Sequence, residues 1–534
     1  MSSTTRADRM TGWADAPQAL TLGDVSREHR RRFPSRTAAV CGDDRLTYAQ
    51  LDDRASQVAN VLRSMDCGPG SAVAWVGQNC HRVLELLVGC AKVGAMMCPV
   101  NWRSSPTELA FALEDLQPEL VVWQEAEVGD RLREARAGLD ELRGASGAPT
   151  RWVRHDTDDK DGYEALMSGA DPSDPEEGID PLSPVLVIYT GAFGGKPHPA
   201  GLHHLSLTMR AMYEAIAAHI DHDFAYLNNG PMFHVGNWRT TMPTFLFGGK
   251  NVFIRRVEPK LMCELIERER CNGAYLVPVT REQLAEANND AAFDLSSLRD
   301  SGGDAAWQAM ISPTPASTGY GQTETGGVIT TTSFGPPGLG AAGRSLPMSQ
   351  VRIVDPDGRE LAIGEVGEIV ARGLTVMSGY VRRAQDSTRD FRGGWWHTGD
   401  LGRREADGTV TFVGPSQRMI KSASENIYPA EVEQCLRMHP KVAECVVIGV
   451  PDPHWTQSVK AIVVLRPGER ADADEVIEHC RRVIASYKKP RFVEFVDELP
   501  HKGGVLDIDL IEERFGGGGY PGQDGHQTGR TVAW

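Results

Sequence analysis

Between Thr318 and Thr325 the chain reads TGYGQTET, which puts two glycines, an aromatic ring, hydroxyls and a carboxylate into eight positions. That composition suits neither a helix nor a strand interior and predicts a loop. Such a loop brings backbone close to a phosphate, lays Tyr320 against a flat base and offers Thr323 and Glu324 to a hard cation. Gly321 and Gln322 lie inside it. Three other stretches carry comparable chemistry. Asp400 in HTGDLG sets a carboxylate in a glycine turn. The segment YTGAFGGKPHPAG supplies Thr190, Lys196 and glycines whose amides can form an anion nest. His234 in PMFHVGNW places an imidazole among apolar residues, beside Gly236 and Trp238.

These groups need a frame. From Leu46 to Val100, LTYAQLDDRASQVANVLRSM reads as an amphipathic helix, SAVAWVG as a buried strand and HRVLELLVGCAKVGAMM as a second helix. This alternation predicts an α/β core with parallel pairing. Asp156 to Asp180 is rich in Asp, Gly and Pro and reads as an exposed connection. VLVIY, Val185 to Tyr189, is a short strand running into the glycine-rich segment. VRIVDPDGREL, GEVGEIVARG and GTVTFVG predict a β-rich subdomain. Beyond Gly414, helix, strand, strand and helix follow in PAEVEQCLRMHP, KVAECVVIGVPD, VKAIVVLRPGE and ADEVIEHCRRVIASY. The fold class is therefore α/β: a large N-terminal domain of α/β subdomains plus a β-rich subdomain (1–413), then a small mobile α+β C-terminal domain (414–515). The glycine-rich tail, 516–534, has too few apolar residues to pack and is expected to be disordered.

At 534 residues the chain exceeds the size of a single core. It is 41% hydrophobic and 24% charged, with a formal net charge of −16. No long basic run offsets that charge, so nucleic acid is excluded as the main partner. No run of eighteen apolar residues predicts a transmembrane helix, and no secretory signal opens the chain. The ten cysteines show no CxxC and no zinc spacing. Cytoplasmic location is the expectation, and a homodimer is the commonest default for an oligomer.

TGYGQTET is followed in order by RGLTVMSGY, GWWHTGDLG, RMIKSASENIYPAEVE and SYKKPRFVEFVDELP. Their order and spacing resemble the adenylate-forming superfamily of acyl- and aryl-CoA synthetases, luciferases and adenylation domains, over roughly Leu46 to Arg514. PMFHVGNW is most similar to the fatty acyl-CoA ligases. The resemblance implies a carboxylate attacking the α-phosphate of Mg-ATP, then capture of the acyl-adenylate by CoA. It implies that Tyr320 stacks on adenine, Thr323 touches the α-phosphate and Glu324 binds Mg²⁺. Ser301, Gly302 and Gly303 would border the adenine and acyl pocket, and Asp400 would accept the ribose hydroxyls. His234, Gly236 and Trp238 would line the tunnel for a small carboxylic acid, and Lys421 would belong to the CoA side.

The chain departs from this pattern in three places. Gly191, Ala192, Phe193 and Gly194 replace the hydroxyl cluster of the phosphate loop, and His198 stands where the family has lysine. Gly414 and Pro415 replace the charged hinge pair; the glycine permits rotation between half-reactions. Leu506 stands where the family's adenylation lysine is expected, leaving Lys502 as the nearby cation. Losing one such donor costs about 10²–10³ in rate. Three functions remain open: an ATP-dependent acid–CoA ligase, an adenylate-forming enzyme with an amine acceptor (nitrite activation included), and a non-catalytic nucleotide or acyl-CoA binder.

Overall fold

The computed structural model describes residues 20–143, 150–191, 196–416, 418–423, 425–502 and 505–518. The helix expected after Leu46 runs from Tyr48 to Ser64. Thr47 starts it with a capping box: its hydroxyl accepts from Gln50 N–H, and Gln50 reaches back to Thr47 N–H. The helix buries Leu51, Ala55, Val58 and Leu62 against the Arg82–Val93 helix. Gly89 allows that approach, since a Cβ there would come within 2.4 Å of Val58. The second helix stops earlier than HRVLELLVGCAKVGAMM suggests. Gly94 adopts φ +76 and ends it, and Met96–Pro99 become a strand.

That strand belongs to a seven-stranded sheet. Its order is Gly379–Tyr380, Pro199–His203, Pro184–Tyr189, Met96–Pro99, Ala72–Val76, Leu120–Trp123 and Arg151–Arg154. The last five strands are mutually parallel, and the first two are antiparallel to their neighbours. A five-stranded sheet, Gly273–Ala274, Ala225–Asn228, Lys250–Phe253, Thr37–Cys41 and Asp44–Thr47, forms the second layer of the large domain. Asp156 to Asp180 is less exposed than its composition implies. It contains the Tyr163–Ser168 helix, buries Tyr163, and sends Asp174 to Arg27 and to the fully buried Lys92.

TGYGQTET is also a correction. Gly319–Gln322 is a strand, paired antiparallel with Gly327–Thr331, and Thr323–Thr325 form a single 3₁₀ turn. The glycines serve close packing of the two strands. A Cβ at Gly319 would lie 2.3 Å from the Thr330 carbonyl, and one at Gly321 would lie 2.1 Å from that of Gly327.

The β-rich subdomain pairs Ser349–Val354, Val366–Gly373, Trp395–Arg404, Phe391–Arg392 and Val410–Pro415. Its last rungs are Leu401 with Gly414 and Asp400 with Pro415, so the chain leaves this sheet after Pro415. The small domain's sheet starts at Ile420 and orders Glu425–Ile427, Ile420–Ser422, Thr456–Leu465 and Val442–Asp452, with Phe492–Phe495 parallel to Thr456–Leu465. The Pro429–Arg437 and Ala473–Val483 helices pack on it. The tail is tied down as far as Gly518: Phe515 is buried, and Gly518 N–H donates to Gly449. The rest of the expected tail, 519–534, lies outside the described residues. Among the described residues no helix is long and apolar enough to cross a membrane.

Candidate active site

Two buried carboxylates, each held by a tyrosine, form the centre of the site. Tyr320 O–H donates to Asp400 Oδ2 at 2.7 Å, and Tyr380 O–H donates to Glu324 Oε1 at 3.0 Å. The strand Gly319–Gln322 delivers the first tyrosine and the 3₁₀ turn delivers Glu324. The ten-residue strand Trp395–Arg404 delivers Asp400. Gln322 ties the two sides together, donating to the Thr398 carbonyl at 3.2 Å while accepting from the Trp396 indole at 3.3 Å. Thr398 hydroxyl accepts from Asp400 N–H and donates to the Ile369 carbonyl. Tyr320 is stacked on Phe412, with centroids 5.3 Å apart.

Burial pushes Asp400 up to about 7; the Tyr320 hydrogen bond works against that rise and the Glu368 charge adds to it. Burial likewise pushes Glu324 up to about 7, against its backbone hydrogen bond and Tyr380, with Asp400 adding a like charge. Both groups therefore change charge near neutrality. Buried carboxylates of this kind are poised to take a ligand that stabilises their ionised form.

Arg210 fixes the floor of the turn. Its Nε and Nη2 donate to the carbonyls of Gly326 and Thr325, both at 3.1 Å. Thr323, at the start of the turn, keeps a partly open side chain. Ser301, Gly302 and Gly303 follow a short strand and are organised by Asp300, which binds Arg281 and the Trp307 indole. Gly303 has φ +86 with Trp307 beneath it. The described hydrogen bonds do not join these three residues to Tyr320.

Of the segment expected to form the phosphate loop, residues 192–195 lie outside the described residues. Thr190 N–H donates to the His198 carbonyl, and Lys196 Nζ sits 5.4 Å from the Phe111 ring. His198 packs edge-on against Tyr380 at 4.8 Å, and burial together with Arg383 holds it below the usual imidazole value. Gly191 lies beneath Tyr428 of the small domain: a Cβ there would meet that ring at 2.3 Å. Gly191 thus makes room for an aromatic ring.

The small domain presents its Ile420–Ser422/Glu425–Ile427 hairpin to the large one. His234 Nε2 lies 2.9 Å from Glu425 Oε2, with Arg103 3.9 Å from the same carboxylate. Burial would raise Glu425, but His234, Arg103 and Lys421 outweigh it and hold the carboxyl below its ordinary value. Lys421 is 3% exposed, donates from Nζ to Asn426 at 2.7 Å, and is pushed down to about 8 by burial against the pull of Glu425. Ala423, between them, has φ +51, a conformation that favours glycine. Trp238 is a core side chain, 1% exposed, its indole donating to the Met232 carbonyl at 2.6 Å. Gly236 faces the Tyr275 ring.

Lys502 stands apart. It is exposed on a hairpin whose neighbouring His501 contacts Glu444 of the small domain, and no described hydrogen bond or ion pair joins it to Glu324 or Asp400. Leu506, across that hairpin, packs with Val446, Ile448, Leu499 and Phe515. Tyr380, Arg210, Phe412, Glu425 and Tyr428 were not singled out from the sequence as site residues. Their roles arise from contacts made across the fold, although Tyr380, Glu425 and Tyr428 lie inside motifs already recognised.

The chain matches the AMP-binding enzyme family over residues 26–381 and the AMP-binding enzyme C-terminal domain over 431–503. It is 33% identical over 508 residues to a feruloyl-CoA synthase of an Amycolatopsis species, covering 93% of this chain and 99% of the relative. It is 33% identical over 499 residues to an indoleacetate–CoA ligase of Aromatoleum aromaticum, covering 90% and 95%. Among solved structures it resembles an amide bond synthetase of Marinactinospora thermotolerans, with a TM-score of 0.78 and 24% identity over 93% of this chain and all of the other. The chain belongs to the AMP-binding enzyme family, with that family's large domain and small C-terminal domain.

Proposed function

We propose that the protein is an ATP-dependent acid–CoA ligase that joins a small carboxylic acid to AMP and then to CoA. It is an AMP-forming acid–thiol ligase, with ATP, Mg²⁺ and CoA as its cofactors. The observation that carries this reading is the pair of buried carboxylates, Glu324 and Asp400, each positioned by a tyrosine hydroxyl. The coenzyme-ligase activities named for two relatives at 33% identity support it.

The residues fit these groups. Asp400 is a buried acceptor raised to about 7, which two ribose hydroxyls would stabilise in its ionised form. Mg²⁺ is commonly held by one or two carboxylates together with substrate phosphates. Glu324 alone meets that need, and among the described residues no cluster of three metal-ligating side chains offers an all-protein cage. When bound, the cation neutralises phosphate charge. The protein's own part is to orient: Tyr320 fixes Asp400, Tyr380 fixes Glu324, and Arg210 sets the turn that carries Thr323. His234 and Lys421 serve the face where the small domain closes.

AMP and pyrophosphate release across a panel of acids, with and without CoA, tests the proposal. Release with matching loss of CoA thiol is the expected result. Release without thiol consumption, accelerated by an amine, replaces CoA as the acceptor. Nucleotide binding without release for any acid removes the ligase reading altogether.

A further inference from the structure

A position calls for glycine when its backbone takes a left-handed angle or when a neighbour comes too close for a Cβ. Gly191 is not among the glycines with positive φ, so its own backbone does not call for one. Its neighbour does. A Cβ there would lie 2.3 Å from Tyr428 Cε2 and 3.1 Å from both Cζ and Oη, inside the roughly 3.5–4.0 Å at which carbon atoms attract. Gly191 follows the Pro184–Tyr189 strand of the large domain, and Tyr428 follows the Glu425–Ile427 strand of the small one. The contact therefore exists only while the two domains are docked.

Neither side yields easily. Thr190 N–H donates to the His198 carbonyl at 2.8 Å, and His198 N–H donates to Thr190 Oγ1 at 3.3 Å, which pins the backbone next to Gly191. Tyr428 is 3% exposed and leads directly into the Pro429–Arg437 helix, its carbonyl accepting from Glu431 N–H at 3.0 Å. Other contacts between the domains are of a different kind. Lys488 with Glu108, His234 with Glu425 and Arg103 with Glu425 join polar side-chain ends at 2.8, 2.9 and 3.9 Å. Such pairs follow a small shift by rotating about their side-chain bonds. A buried ring lying on a Cα has no such freedom.

We infer that Gly191 and Tyr428 form a steric key for docking: the charged pairs draw the small domain in, and the missing Cβ at position 191 lets it seat. Gly191 is thus a positioning residue. It acts through Tyr428 on the strand that carries Glu425 to His234. The inference concerns the docked chain itself and stands whichever reaction the site performs.

Carbodiimide cross-linking of the full chain tests it, because Lys488 carries its own standard. Its amine lies 2.8 Å from Glu108 of the large domain and 2.7 Å from Glu431 of the small one. The first zero-length amide needs docking and the second does not. Overpacking of this kind shifts an equilibrium by about 5–150-fold. In Gly191→Ala and in Gly191→Ser the ratio of the Glu108 product to the Glu431 product is therefore expected to fall at least about fivefold, with a larger radius of gyration. Tyr428→Leu ends at Cδ, short of every atom in the clash. Combined with Gly191→Ala, it is expected to bring the ratio back toward that of the unsubstituted chain. A ratio unchanged by Gly191→Ala overturns the inference, as does a fall that the double variant does not reverse. Loss of both products together, which marks a disturbed small domain and not an undocked one, overturns it as well.

Discussion

His234 and Glu425 meet at 2.9 Å although 191 positions separate them. One closes the PMFH segment of the large domain; the other lies on the small domain's hairpin. Lys488 makes a second bridge, 2.8 Å from Glu108 of the large domain and 2.7 Å from Glu431 of its own. Ser105 hydroxyl adds a third by donating to the Val483 carbonyl. The small domain is thus docked through charge, directly over the site.

Docking through these pairs predicts that Lys488→Ala opens the molecule. Removing the cation leaves Glu108 and Glu431 facing each other in a half-buried contact, at a cost of about 3 kcal/mol. Solution scattering is expected to show a larger radius of gyration, with faster protease cleavage between Pro415 and Ile420. Unchanged scattering would show that apolar contact, not charge, holds the domains together. Glu425 adds a pH dependence. Its folded value lies below the unfolded one, so its contribution is present above the ordinary carboxylate range and is lost as pH falls through the lowered value.

Glu324 and Asp400 have the opposite sign. Each is raised to about 7 in the folded chain, so the native state holds more protons than the unfolded state between about pH 4 and 7. Their contribution is present below pH 4 and is lost as pH rises toward 7. Glu324→Gln is therefore expected to match wild type at low pH and to exceed it by about 3 kcal/mol above pH 7. Denaturant melts at several pH values measure this. A parallel offset at all pH values would mean that Glu324 is not the titrating group.

Tyr320→Phe keeps the ring and removes the hydroxyl that holds Asp400. The expected cost is about 1–3 kcal/mol, with Asp400 titrating still higher. A double-mutant cycle with Asp400→Asn is expected to give a coupling of about 1–2 kcal/mol. Strict additivity would remove Tyr320 as the positioning group and leave only its stacking on Phe412.

Lys502 gives the most direct check on the expectation that Leu506 stands in place of an adenylation lysine. If it takes that part when the small domain swings round, Lys502→Ala abolishes pyrophosphate release and spares thioester formation from a supplied acyl-adenylate. Normal adenylation by the variant would assign the charge to another group.

Much of this arrangement was legible in residue order, and the reasons for the rest are physical. Thr47 with Gln50 marks a helix start, and VLVIY forms its strand as expected, because capping and apolar runs are local signals. Gly319–Gln322 misleads because its glycines look like turn formers, while their use here is set by carbonyls eleven and six residues away. Asp156–Asp180 misleads in the same way: Asp174 is polar by type, but its partner Lys92 is buried 82 positions away. The Tyr380–Glu324 and His234–Glu425 contacts depend on the closed fold, and spacing alone does not carry them.

The exit from the large domain's last strand sets a limit on motion. Gly414 and Pro415 are fixed in ladder rungs, Ser416 N–H donates to Gly399, and Arg418 binds Val447 and Glu433 of the small domain. Four positions separate the last rung at Pro415 from the small domain's first strand at Ile420, a reach of about 14 Å. On so short a leash the small domain cannot diffuse away. Its hairpin stays at an effective concentration on the order of millimolar or above over the site, so any undocking and return of the small domain is a unimolecular event, independent of protein concentration. Lengthening the leash would dilute that local concentration without touching any residue of the site.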